Sequence, residues 1–173
     1  PFLIPAVLVA INMNIFFKNR KLKAGFMTVE ILIAISIMTV SILASMAVSQ
    51  KAVHVSRQSL HVSQAHFLLE EGGEAVRILR DNNWTNISSL IAGTHYYPTF
   101  SGGTWTLSTT PNTVGSFTRR VVFTAVNRDN TTKDIASVGT DDLNTKLVTV
   151  TVSWLEGGTT VTKTLQFYIF NIF

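Results

Sequence analysis

A basic cluster followed by a long apolar run constrains this chain more than any other feature. Four cations lie within residues 18–23, before Gly25, and the 23 residues 26–48 that follow carry one charge, on Glu30. A helix of about 20 apolar residues is long enough to cross a lipid bilayer. A carboxylate inside such a segment costs roughly 2.5–3.5 kcal/mol near its middle on insertion scales. The run therefore predicts a membrane-spanning helix, with Glu30 as a candidate functional residue.

The cations also predict how this helix is oriented. Cationic residues next to a span stay on the cytoplasmic side, and only Lys51 and Arg57 lie close behind the apolar run. We therefore expect a cytoplasmic N-terminus and an exported domain from about residue 50 onward. The alternative is a cleaved secretory signal peptide whose apolar core is residues 31–48. The apolar run exceeds the about 7–15 residues of such a core, and Glu30 would lie at its head, so a span is favoured.

The net charge of the chain lies in the segment that precedes the apolar run. All ten acidic residues follow Gly25, together with ten of the fourteen Lys and Arg residues. With neutral His, residues 26–173 have no net charge, so no nucleic-acid partner is predicted from charge. The chain contains no cysteine, which excludes disulfides, Cys-ligated zinc and thiol catalysis.

Residues 1–25 form a predicted leader. Residues 1–12 lack an initiator Met, whereas Met13 begins a short basic stretch that ends at Gly25. We expect translation to start at Met13, with residues 1–12 lying upstream of the translated chain. The alternative is that residues 1–17 are a genuine apolar stretch lying on the membrane.

The residues at the start of the apolar run carry a family resemblance. Gly25 and Phe26, followed by Glu30, give the pattern G-F-x-x-x-E, which resembles the N-terminus of type IV pilins and pseudopilins. The resemblance implies that a prepilin peptidase cuts after Gly25 and methylates Phe26, the new N-terminal residue. It also implies that the amine of a mature chain, on the same or a neighbouring subunit, compensates Glu30. The alternative for Glu30 is an interfacial carboxylate that reaches lipid headgroups.

A second stretch extends this resemblance toward the C-terminus. Residues 70–84 read EEGGEAVRILRDNNW and resemble the E-G-x-E-A-x-R-x-x-R-D-x-N-W segment of small bacterial minor-pilin-like proteins. Three later segments match the F-T-R, T-V-x-V-x-W and Y-x-x-N segments of those proteins in order: Phe117–Arg119, Thr149–Trp154 and Tyr168–Asn171. The resemblance implies a minor filament subunit with a pilin-like fold.

The pattern after the leader predicts an α+β fold. No proline occurs between Phe26 and Tyr97, so we expect one helix from Phe26 to about Asn82. Its apolar half is residues 26–49, and its amphipathic half, within residues 50–84, is expected to pack on a sheet. The apolar stripe of this second half comprises Val53, Leu60, Ala65, Phe67, Leu68, Gly72, Val76 and Leu79. Gly72 and Gly73 are expected to permit either a close approach to the sheet or a bend.

A roughly four-stranded antiparallel sheet is predicted within residues 85–173. The strands are Trp105–Thr109, Phe117–Val126, Lys146–Trp154 and Thr159–Phe170, where branched and aromatic residues alternate with polar ones. Glu156-Gly157-Gly158 is expected to form a hairpin turn between the last two strands. The remainder of residues 85–116, and Asn127–Thr145, are expected to form loops.

The remaining polar clusters give weak signals, and we predict no metal and no cofactor. His54, His61 and His66 do not share one helix face and are expected to be solvated. Asp141-Asp142 lacks the spacing of an EF-hand loop, and Arg119-Arg120 is expected to be surface charge. Ser41, Ser45 and Ser49 recur every four residues, either to let membrane helices approach closely or as small residues without contact.

Three function classes remain. The first is a structural filament subunit that interacts with other pilin-like subunits through residues 26–49, with the prepilin peptidase, and with inner-membrane lipid before assembly. It would be a single-pass membrane protein before processing and part of a cell-surface or periplasm-spanning filament afterwards. The second is a membrane-anchored adhesin or binding module, on the cell surface or a filament tip. The third is a secreted enzyme, which no catalytic motif supports, so we predict that the chain is not an enzyme.

Overall fold

The computed structural model describes residues 21–172, with side chains from Phe26 onward. The predicted translation start and the first part of the leader, residues 1–20, lie outside the described residues. The chain divides into two units, Pro1–Val55 and Ser56–Phe173.

Helix α1 spans Lys21–Asn82. It ends at the predicted residue, but it begins before Phe26, so it continues through Gly25 without a break. The chain then forms a one-turn helix, α2, at Thr85–Ser88. Its start is fixed by Asn83, whose Oδ1 atom accepts a hydrogen bond of 2.9 Å from the backbone N–H of Thr85.

The part of α1 in the second unit buries one face. The stripe prediction is confirmed at Ala65, Gly72, Val76 and Leu79, which are buried, whereas Leu68 is half-buried. The prediction is wrong at Leu60 and Phe67, which are exposed. It is also wrong at Val53, which belongs to the first unit and is exposed there. At 3.6 residues per turn, Phe67 lies about 200° around the helix from the buried Ala65.

The sheet of the second unit has seven strands. They are β1 (His95–Ser101), β2 (Thr104–Ser108), β3 (Thr113–Val114), β4 (Phe117–Arg128), β5 (Ile135–Ala136), β6 (Thr140–Glu156) and β7 (Thr159–Phe170). Five strands follow the order β2-β1-β4-β6-β7, and β3 and β5 pair with β4. All pairings are antiparallel. The α+β class is confirmed, but the sheet is larger than the roughly four strands expected.

The hairpin between β6 and β7 agrees with its prediction. Glu156 pairs with Thr159, and the register runs without a bulge to Thr145 and Phe170. The two turn residues, Gly157 and Gly158, have φ values of 57° and 83°. A two-residue turn of type I′ requires positive φ at both positions, which glycine adopts at little cost.

One hydrophobic core joins α1 to the sheet within the second unit. Its buried members are Ala65, Leu69, Val76, Leu79, Ile87, Tyr96, Phe117, Val121, Phe123, Val148, Val150, Val152, Trp154 and Ile169. The alternating burial along β4 and the run of buried valines in β6 show that these strands face α1.

Candidate functional site

The described part of the first unit is an apolar helical surface. Every large apolar side chain from Phe26 to Val48 is more than half exposed, with values between 54% and 82%. This helix is long and apolar enough to cross a membrane. Because water-exposed apolar patches of this extent mark interaction or membrane surfaces, we take Phe26–Val48 as the first candidate site.

The hydroxyl groups within this apolar segment are satisfied by the helix itself. Ser36, Thr39, Ser41 and Ser45 donate to backbone carbonyl oxygens three or four residues earlier, at 2.7–2.8 Å. A polar group without a partner is costly in lipid, so these local bonds lower the cost of placing the segment there. Ser41, Ser45 and Ser49 line a shallow groove along one face of the helix.

The predicted processing and assembly residues lie at the start of this segment. Gly25 is in the helical backbone of α1, and Phe26, 82% exposed, follows it. Glu30 is exposed and lies one helical turn after Phe26, on the same face. Among the residues whose side chains are described, Glu30 forms no ion pair.

In the second unit, two motif segments that are far apart in sequence meet at one contact. Arg119 Nη1 donates to Glu71 Oε2 at 2.5 Å. A Cβ atom built on the adjacent Gly72 would lie 2.8 Å from Val150 Cγ1 and 3.1 Å from Arg119 Cδ. Gly72 therefore permits α1 to approach the sheet closely, which was one of the two roles expected for the glycine pair. The E-G segment of α1 and the F-T-R segment of β4 therefore form one packing contact.

The expectation that Arg119 is surface charge is wrong, because its side chain is only 4% exposed. Its Nη2 atom donates to the carbonyl oxygen of Pro98 at 3.3 Å, and its guanidinium lies 5.3 Å from the centre of the Trp105 ring. Within the described residues, Arg119 Nε has no hydrogen-bond partner. Period-two alternation would have placed Arg119 on the buried face of β4, with Phe117 and Val121.

The three helix histidines are not equivalent. His54 and His66 are exposed, as expected, whereas His61 is half-buried. Its ring packs edge-on against Phe117 and Trp154, with centroid distances of 6.0 and 6.5 Å. His61 is therefore part of the packing between α1 and the sheet. Among the described residues, no group of three or more His, Cys, Asp or Glu side chains could hold a metal ion.

Two carboxylates accept hydrogen bonds around the loop that joins β4 to β6: Asp129, directly after β4, and Asp142, near the start of β6. Asp142 Oδ2 accepts hydrogen bonds of 2.6 Å from the Thr145 hydroxyl and from Arg128 Nε. These two partners hold the pKa of Asp142 below its ordinary value of 3.8. The backbone N–H groups of Thr132 and Thr131 likewise lower the pKa of Asp129. These oxygens organise the loop.

The structure separates the candidate residues into two groups. Gly25, Phe26 and Glu30 lie at the start of the apolar segment, whereas Glu71, Gly72 and Arg119 join α1 to the sheet in the second unit. Comparison with protein-family models, with curated proteins and with solved structures finds no match for the chain.

Proposed function

We propose that the chain is a structural subunit of a type IV pilin-like filament. In this proposal a prepilin peptidase cuts after Gly25, Phe26 becomes the N-terminal residue, and the helix from Phe26 onward bundles with those of other subunits. The observation that carries the proposal is an exposed apolar helix that continues through the cut site, with one carboxylate a turn beyond it.

The continuity of α1 through Gly25 gives cleavage a physical consequence. In the uncut helix, which begins at Lys21, Glu30 lies in the interior of α1, and the first turn contains no acidic residue. Cleavage after Gly25 would create a new helix start, with a free amine at Phe26 and unpaired backbone N–H groups. Both the amine and the helix dipole stabilise a nearby carboxylate. Cutting therefore supplies the positive charge that Glu30 lacks.

The polar groups of the segment support the same proposal. Four Ser and Thr hydroxyls are bonded within the helix, whereas Glu30 carries the one formal charge between residues 26 and 48. A neighbouring subunit that brings a cationic amine to Glu30 offsets part of the cost of burying this carboxylate. A bundle of helices without that pairing leaves the charge buried alone, which is strongly unfavourable.

Co-expression with a prepilin peptidase tests the processing step. We expect the intact mass to fall by the mass of the leader, and N-terminal sequencing to begin at methylated Phe26. Gly25→Val is expected to stay uncut, because a branched side chain beside the scissile bond obstructs the peptidase. A mature chain beginning at any other residue would falsify the processing step.

The Glu30→Gln variant tests the assembly step separately. We expect it to be cut as the unaltered chain is, but to remain in the membrane fraction when filaments are sheared and collected. Glu70→Gln is the matched control, because it removes an exposed acid elsewhere on the same helix. If Glu30→Gln enters filaments as well as the control, the pairing argument fails. A cut, unaltered chain that never enters filaments would favour the membrane-anchored adhesin instead.

A further inference from the structure

Three asparagines of the second unit stand in the sequence pattern N-x-S/T, which is the acceptor pattern for N-linked glycosylation. The three motifs are Asn83-Trp84-Thr85, Asn86-Ile87-Ser88 and Asn130-Thr131-Thr132. The modification attaches a bulky oligosaccharide to the side-chain nitrogen of an asparagine on the surface of an exported protein. Because this pattern also arises by chance in a chain rich in Asn and Thr, the side-chain geometry has to distinguish the three sites.

The chemistry of the transfer sets the geometry that an acceptor asparagine needs. An amide nitrogen is a weak nucleophile, because its lone pair is delocalised toward the carbonyl oxygen. Hydrogen bonds donated to that oxygen stabilise the negative charge that develops there as the nitrogen gives up a proton. Transfer is therefore favoured where Nδ2 is exposed and unbonded, and where Oδ1 accepts hydrogen bonds from the Ser or Thr of the same motif.

Asn83 has this geometry. It is exposed and lies between α1 and α2. Its Oδ1 atom accepts a hydrogen bond of 2.8 Å from the Thr85 hydroxyl and one of 2.9 Å from the Thr85 backbone N–H. Within the part of the chain that the structure describes, Asn83 Nδ2 has no hydrogen-bond partner. The nitrogen is thus available, and the hydroxyl of the motif is already held on the amide.

The other two motifs lack this geometry. Asn86 Nδ2 donates to the carbonyl oxygen of Leu79 at 3.0 Å, so this nitrogen is engaged with the end of α1. Asn130 Oδ1 accepts from the Thr140 hydroxyl of β6 at 2.7 Å. The hydroxyl of the Asn130 motif, on Thr132, instead accepts from the backbone N–H of Asp134 at 3.3 Å. Neither motif combines an unengaged nitrogen with its own hydroxyl on Oδ1.

Asp81 adds a charged recognition feature two residues before Asn83. Its Oδ1 atom accepts from Arg80 Nε at 2.7 Å, whereas Oδ2 has no hydrogen-bond partner among the described residues. The corresponding position holds tryptophan in the second motif and arginine in the third. A carboxylate with an unbonded oxygen can form a charge-assisted hydrogen bond with a cationic peptide-binding site. The Asn83 motif is the one of the three that offers this group.

We propose that Asn83 is an acceptor for N-linked glycosylation, and that the donor is an oligosaccharide carried on a polyprenyl pyrophosphate in the membrane. Asn83 Nδ2 attacks the anomeric carbon of the first sugar, and a carbon–nitrogen bond forms. The bond between that carbon and the pyrophosphate oxygen breaks, the oxygen keeps the electron pair, and one Nδ2 proton passes to a base of the transferase. This inference goes beyond the proposed filament function. It depends on export of the second unit and not on cleavage or assembly.

Expression of the full chain in membranes that contain an oligosaccharyltransferase and such a lipid-linked oligosaccharide tests the site. We expect the intact mass to rise by one oligosaccharide, and peptide fragmentation to place the addition on Asn83. Asn83→Asp should abolish the addition, because a carboxylate can accept both hydrogen bonds from Thr85 but has no nitrogen. Thr85→Ala should abolish it as well, whereas Thr85→Ser should retain it. Asn86→Gln and Asn130→Gln are matched controls that should leave the addition unchanged.

An unchanged mass, in membranes where a known acceptor protein is modified, would overturn this inference. An addition that survives Asn83→Asp, or one that fragmentation places on Asn86 or Asn130, would overturn it too. The same mass spectra report cleavage after Gly25. A cut chain without the oligosaccharide removes only this inference, whereas a glycosylated chain that is never cut removes only the proposed processing.

Discussion

The two adjacent glycines of α1 provide the sharpest test of how the second unit is packed. Gly72→Ala places a Cβ atom 2.8 Å from Val150 Cγ1, on a side chain that is fully buried and, being β-branched, is stiff at χ1. Gly73→Ala places one 3.5 Å from Phe167 Cε1, which is ordinary van der Waals contact. Both substitutions bring the same gain in helix propensity, so only the packing differs.

The expected magnitudes follow from these two environments. Replacing glycine with alanine inside a helix raises the free energy of unfolding by about 0.5–1 kcal/mol. Gly73→Ala should show this increase in full. Overpacking a close-packed core costs about 1–3 kcal/mol, so Gly72→Ala should be less stable than Gly73→Ala by about that amount. Val150→Ala removes the obstructing methyl group. It should therefore couple favourably to Gly72→Ala by about 0.5–2 kcal/mol in a double-mutant cycle.

Urea unfolding of the full chain in detergent micelles measures these differences. The three tryptophans, Trp84, Trp105 and Trp154, all lie in the second unit, so their fluorescence reports that unit. With a slope of about 1–3 kcal/mol per molar urea, the midpoints of the two glycine variants should differ by about 1 M. Equal midpoints, or additive effects in the cycle with Val150→Ala, would show that α1 does not approach β6 as closely as described.

Three further predictions concern the same unit. Glu71→Gln should lower the free energy of unfolding by about 1–2 kcal/mol, because it leaves a buried guanidinium without its anion, whereas Glu70→Gln should change it by under about 0.5 kcal/mol. The folded-state pKa of Asp142 lies below its ordinary value of 3.8. The ionised Asp142 therefore contributes fully to the free energy of unfolding at pH values above 3.8, and this contribution is lost as the pH falls through the folded-state pKa. Asp142→Asn should therefore flatten the acid limb of a stability profile. Gly139→Ala should lower the melting temperature and expose the preceding loop to protease, because a Cβ atom there would overlap the carbonyl oxygen of Arg128.

The sequence predicted the long elements better than the short ones, for physical reasons. Helix α1 and strand β7 were predicted closely, because a run without proline and a regular alternation are properties of the local chain. Strand β1 was missed because it contains Pro98, which disfavours a strand. The sheet tolerates Pro98 because this residue pairs with a neighbouring strand on one side only. It pairs with β2, whereas β1 pairs with β4 at His95 and Tyr96.

The loop expected at Asn127–Thr145 was predicted too long. Strand β4 continues to Arg128, β6 begins at Thr140, and β5 pairs with the end of β4. These additions depend on pairing partners distant in sequence, such as Asn127 with Asp141. Local polarity cannot reveal such pairing, because polar side chains are common on the solvent side of a strand.

The motif residues divide into those that pack within the second unit and those that lie at the start of the apolar segment. Glu71, Gly72 and Arg119 join α1 to the sheet by close packing and one ion pair. Gly25, Phe26 and Glu30 are not part of the hydrophobic core of the second unit. Substitutions at Gly72 or Glu71 should therefore lower stability while cleavage after Gly25 proceeds. Substitutions at Gly25 should abolish cleavage while the urea midpoint of the tryptophan signal stays unchanged. A Gly25 variant that shifts that midpoint would show that the two groups are coupled.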